Sequence, residues 1–170
     1  MDAVVAISLF RMAAADLAMA PWQRPSDAHL VQLGLDGLTA DIEAPSLPLL
    51  AGLARGEYSQ AREVFNLVLE ELGLLPLASD DLAKARWTAA QWWASQIVAC
   101  RLDPVRGAKL IFKESAAELD YPDELQPIVD LAIALELSND QPGDQQHIHD
   151  RVTSAARDFL ATDANRTHSF

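Results

Sequence analysis

From one proline or glycine stop to the next, the chain never falls into the two-residue alternation of a half-buried strand; its apolar residues return every three or four positions. The run "EYSQAREVFNLVLEELG" is the clearest case. Val64, Leu67, Val68, Glu71 and Leu72 follow the 3.6 period, Phe65 and Leu69 widen the stripe, and Gly73 supplies a C-terminal stop. Composition agrees: half of the 170 residues are hydrophobic but only 6% are aromatic, and Ala and Leu, both strong helix formers, dominate. The fold class expected is all-α, a single compact multi-helix domain of about seven or eight helices over 1–161, with 162–170 as a frayed tail.

The punctuation divides the chain. Pro21 ends a first helix over 2–20, and Ser26 or Asp27, after the bracketed turn "PWQRPS", caps a second over about 28–41. Gly34 and Gly37 weaken that helix by about 1 kcal/mol each relative to alanine and mark where it could break. A short turn is predicted over 46–53. Ser79 caps a helix ending near Leu102, and Asp103-Pro104 combines an N-cap with proline at the first helical position, opening a helix to about Leu119. Tyr121-Pro122 does the same for a helix to Leu137, with Asp123 and Glu124 at its dipole-favoured end. The run "SNDQPGD" reads as a loop before a last helix over about 144–161.

The segment "RWTAAQWWASQIVACRLDP" holds three of the four tryptophans. At about 100° per residue, Trp87, Ala90, Trp93, Ala94, Ile97 and Val98 share one apolar stripe, so Trp87 and Trp93 are core residues. Trp92 falls about 140° away, among small and polar residues. It is either buried by a helix covered on both sides or an anchor for a partner, where tryptophan is enriched.

Cys100 is the only cysteine, which excludes an intramolecular disulfide and a Cys-based zinc site within one chain. Among Ile97, Val98 and Ala99 it is expected to be an inert small side chain. The apolar N-terminus ends in Ala18-Met19-Ala20, but Asp2, Arg11 and Asp16 argue against a signal peptide and against a membrane span. A cytoplasmic protein is the expectation.

Enzymatic signatures are missing: no Gly-x-Gly-x-x-Gly, no Walker lysine loop, no His-Glu-x-x-His and no Gly-x-Ser-x-Gly. No catalytic residue is assigned and no cofactor expected. In "NDQPGDQQHIHD", Asp144 and His147 lie three apart on a helix and are the candidates for a metal site, against a plain reading of a helix-start acid and a solvated imidazole. His147 and His149 point about 200° apart and do not converge. Adjacent acids such as Glu70-Glu71 are about 100° apart, so none forms a geometric catalytic pair.

Charge is the larger departure. The formal net charge is −12, which repels nucleic acid and anionic membrane and attracts a cationic partner. Residues 114–150 carry ten acidic side chains and no Lys or Arg, whereas 84–113 carry six bases and one acid. The acidic run is either a solvated face or a docking surface for a basic protein. Partner-binding candidates are Trp92, Glu118, Asp123, Glu124, Asp130 and Glu136. Arg106 and Lys109, in the basic segment with Arg101 and Lys113, are candidates for a phosphate or other anion, or pair with the acidic run inside the fold.

The segments "SLPLLAGLARGEYSQAREVFNLVLEELG" and "ASQIVACRLDPVRGAKLIFKESAAELDYPDELQPIVDLAIALE" resemble an uncharacterised family of small acidic helical proteins from actinobacterial genomes, joined through Leu102-Asp103-Pro104 and followed by Gly107-Ala108. The resemblance covers somewhat under half the chain, implies a helical domain and transfers no functional residue. The functional expectation is a non-enzymatic interaction domain of the inhibitor or immunity type, binding a basic protein through an acidic surface. The alternative is a small-molecule or metal-binding protein with a pocket between helices that uses Asp144, His147 or Arg106. Homo-oligomeric scaffolding is compatible with either.

Overall fold

A computed structural model describes residues 1–137 and 145–167. Among them every regular element is helical, as expected. None of the helices is long and apolar enough to cross a membrane. The chain forms two compact units, Met1–Ala85 and Arg86–Phe170, and the boundary falls inside one helix, α5 (Ser79–Val98).

The first unit begins with α1 (Ala3–Leu17), whose N-terminus is held by the Asp2 carboxylate accepting the Val5 N–H at 2.9 Å. Ser26 caps α2 (Asp27–Thr39) in the same way, through the His29 N–H at 3.2 Å. Gly34 and Gly37 do not break α2. They are its contact surface: a Cβ on Gly34 would lie 2.9 Å from the Ala51 backbone nitrogen in α3 (Leu47–Gly52), and one on Gly37 would lie 2.8 Å from Phe10 Cζ. The weak helix formers are kept because only a hydrogen fits there.

The run that reads as one long helix is wound in two ways, a 3-10 segment Arg55–Gln60 followed by α4 (Ala61–Glu71). Its buried face is Ala61, Val64, Phe65, Val68 and Leu69, rotated from the expected stripe, and Leu67 is 44% exposed. Glu71 points away from the core and accepts the Ser46 N–H at 2.8 Å and hydroxyl at 2.6 Å, tying α4 to the start of α3. Phe10 and Phe65 meet edge to face, centroids 5.8 Å apart, in a core completed by Leu30, Leu33, Leu47 and Leu50.

In the second unit the buried positions of α5 are Arg86, Ala89, Ala90, Trp93, Ala94 and Ile97. The face is displaced from the expected stripe, and a guanidinium lies inside it. Trp93 is buried, whereas Trp87 and Trp92 are half-buried. The helix closes with Arg101 N–H bonded to the Gln96 carbonyl and with Cys100 in the left-handed region at φ 54°. That cysteine is exposed, contrary to its apolar neighbours' suggestion, because it lies past the last helical turn.

Asp103 caps α6 (Pro104–Leu110) by accepting the Arg106 N–H at 2.9 Å, the start that Asp-Pro predicts. A Cβ on Gly107 would lie 2.5 Å from Ile97 Cδ1, so α6 presses its backbone onto α5. The backbone then widens into a π-helical segment, Ile111–Ala116, and tightens into a 3-10 turn, Ala117–Leu119. Arg86 Nη1 donates to the Glu114 carbonyl at 2.7 Å, and the Ser115 hydroxyl donates to the Arg86 carbonyl at 2.8 Å. This reciprocal pair holds the widened turn against α5. After left-handed Asp120 and Tyr121, the chain enters α7 (Gln126–Leu137), and α8 (Gln145–Thr167) packs on α6 and α7.

Candidate functional site

The facing stripes of α7 and α8 enclose a groove of about 640 Å³ in the second unit. From α7 come Pro127, Asp130, Leu131 and Ala134, which stand at i, i+3, i+4 and i+7 and so share one helix face. From α8 come Arg151, Ser154, Ala155, Asp158, Phe159 and Thr162 at the same helical spacings. The turn before α7 adds Asp123 and Glu124 at one end. Small residues at 134, 154 and 155 leave the space that larger side chains would fill, while Leu131 and Phe159 form an apolar floor. Behind the floor Trp87 stacks on Phe159, centroids 6.2 Å apart and planes inclined by 22°.

Four carboxylates and one guanidinium leave the groove formally negative. The Asp130 carboxylate is oriented by the Gln126 side-chain amide at 2.7 Å, and the Thr162 hydroxyl donates to the Asp158 carbonyl at 3.0 Å. An apolar floor beneath carboxylates can take an amphipathic cation, whose stem is buried while its charge is matched at the rim. Asp123, Glu124 and Asp130, expected from charge alone, are thus brought together.

Glu118, Glu136 and Trp92 do not line this groove. Glu118 lies in the 3-10 turn before it. Glu136 pairs with Lys113 at 2.8 Å, and that hydrogen bond holds its carboxyl below the usual carboxylate range. Arg106, Lys109 and Lys113 share a separate shallow depression of about 310 Å³ on α6 and the π segment. Asp144 lies outside the described residues, and the His147 side chain is exposed. It is His149 that approaches a carboxylate, with Nε2 3.8 Å from Asp103, in a cleft of about 580 Å³ shared with Cys100, Arg101 and Arg157. Among the described residues no group of three or more His, Cys, Asp or Glu side chains is placed to hold a metal.

Of the groove lining, only Asp123, Glu124 and Asp130 stand out in the sequence; Arg151, Asp158 and Phe159 do not. Asp158 and Phe159 lie beyond the acidic run, and only the helical spacing from Arg151 would have set them on one face. Trp22, the fourth tryptophan, is 85% exposed on the proline-bracketed turn. Comparison with protein-family models, curated proteins and solved structures finds no match for the chain.

Proposed function

We propose that the protein is a non-enzymatic helical interaction domain that binds a basic protein, in the manner of an inhibitor or immunity partner, through the groove between α7 and α8. The observation that carries this reading is the convergence of Asp123, Glu124, Asp130 and Asp158 on an apolar floor from separate parts of the chain. Complementary charge accelerates encounter and rejects anionic competitors, and the buried floor supplies the persistent part of the affinity. A cytoplasmic setting fits the single cysteine.

The test is titration against the basic proteins encoded by adjoining genes. Binding is expected to weaken steeply with salt and to vanish in an Asp123→Lys, Glu124→Lys, Asp130→Lys variant whose circular dichroism matches the native spectrum. Binding that survives those three reversals would exclude the groove as the docking surface.

A further inference from the structure

We infer that the occupant of the α7–α8 groove is an amphipathic basic helix of the partner, docked by its side chains, and not an extended peptide. The inference rests on the docking function proposed for that groove. Both walls are helices, whose main-chain groups bond within each helix, and among the described residues there is no strand edge. An extended segment laid there would find scattered polar side chains but no main-chain edge with which to pair its peptide groups in register. Each peptide group buried without a partner is strongly disfavoured, whereas a helix arrives with its own groups already paired.

The dimensions agree. Lining residues run from 127 to 134 on α7 and from 151 to 162 on α8, which at 1.5 Å per residue is roughly 10 to 16 Å, or two to three turns of a docked helix. A volume of about 640 Å³ is too small for a whole helix of that length, about 10 Å across, but holds the side chains of its inner face. Ala134, Ser154 and Ala155 let its backbone come close. The occupant therefore carries apolar residues at i, i+3, i+4 and i+7 that reach Leu131 and Phe159. Lys or Arg on its flanks meets Asp123 and Glu124 at one end, Asp130 on one wall and Asp158 on the other. Arg151 breaks the uniformity of the rim and calls for one acidic or polar residue in the same helix, which a simple polyamine lacks.

Two synthetic peptides of identical Leu, Ala, Lys and Glu composition test this on the full chain, each about 14 residues with one proline. One places its leucines at i, i+3, i+4 and i+7 with the proline at the first helical position; the other scrambles the order and moves the proline to the centre. Calorimetry measures affinity, and the part of the tryptophan fluorescence change that Trp87→Phe abolishes reports on the floor, since Trp87 stacks on Phe159. The striped peptide is expected to bind roughly tenfold or more tighter than the scrambled one. Its binding is expected to be lost in Asp130→Lys/Asp158→Lys and in Ala134→Trp, which fills the groove from an exposed position. If the scrambled peptide binds equally well and is equally sensitive to those variants, the helical occupant is overturned while the acidic docking groove stands. If neither peptide responds to charge reversal or to filling, both fall.

Discussion

Arg86 is the least expected side chain in the core, and truncating it tests how the second unit is held together. The residue is 1% exposed, its Nη1 donates to the Glu114 carbonyl at 2.7 Å, and the Glu114 carboxylate lies 3.8 Å away. Arg86→Ala removes a hydrogen bond from a charged donor, worth about 1.5–3 kcal/mol, and leaves a cavity of the kind that costs about 2–5 kcal/mol on large-to-Ala truncation. Against these stands the relief of a buried charge, which is itself several kcal/mol unfavourable to desolvate. The net loss expected is about 2–4 kcal/mol. Arg86→Met keeps most of the stem volume and removes the charge, leaving chiefly the unsatisfied carbonyl, so its expected loss is about 1–2 kcal/mol.

Urea unfolding followed by circular dichroism gives both values, and amide exchange locates the effect. Both variants are expected to speed exchange in Ile111–Leu119, because both lose the donor that holds the widened turn, while α1 to α4 exchange as before. If Arg86→Ala loses less than about 0.5 kcal/mol, or if Met is as damaging as Ala, the carbonyl bond and the stem packing have been misassigned.

Three further outcomes follow from single positions. Gly34→Ala is expected to lower stability by about 1 kcal/mol in a thermal melt, since overpacking against the Ala51 backbone at 2.9 Å outweighs the gain in helix propensity. Cys100→Gly should raise stability by about 0.5–1 kcal/mol, because φ 54° strains any residue with a Cβ. Partial desolvation lowers the pKa of the His29 imidazole against the raising effects of Asp36 and Asp16, and because the residue is exposed in the first turn of α2 the preference of folding for the neutral ring is slight. Its contribution is full above the unfolded value near about 6.5 and declines as pH falls through the folded value; His29→Gln is expected to flatten the stability profile there.

The helical class and most starts were legible because each depends on local chemistry: Asp2, Ser26 and Asp103 cap where short polar side chains precede apolar runs. Which face each helix buries was less legible, since that depends on neighbours distant in sequence. In α4 the apolar arc is wide enough that Leu67 and Ala61 compete for the inside, and packing chose the alanine. In α5 a basic residue occupies a core position because the π segment, 28 residues on, offers it a carbonyl. Nothing in the local pattern around Arg86 signals that acceptor. Gly34 and Gly37 were visible as weak helix formers, but their role as a packing surface required knowing that α3 and Phe10 would lie against them.

The acidic run, uniform as a sequence, is divided by the fold into parts with different roles. Its alternative explanation, neutralisation by the basic segment, holds for Glu136, whose carboxylate is taken by Lys113, and for Glu114, beside Arg86. Asp123, Glu124 and Asp130 instead line a groove that contains no residue of the basic segment, and the cation among them is Arg151 from α8. Arg106 and Lys109 line a different depression. Folding could have interleaved the two charge blocks and lowered the local potential; it keeps three of the acids with a fourth from α8 around an apolar floor. Like charges gathered in one place repel, so the arrangement does not stabilise the fold by itself. A cation from another molecule would add to the Arg151 charge already among them, and the docking reading rests on this local excess of negative charge over an apolar floor more than on the number of acids.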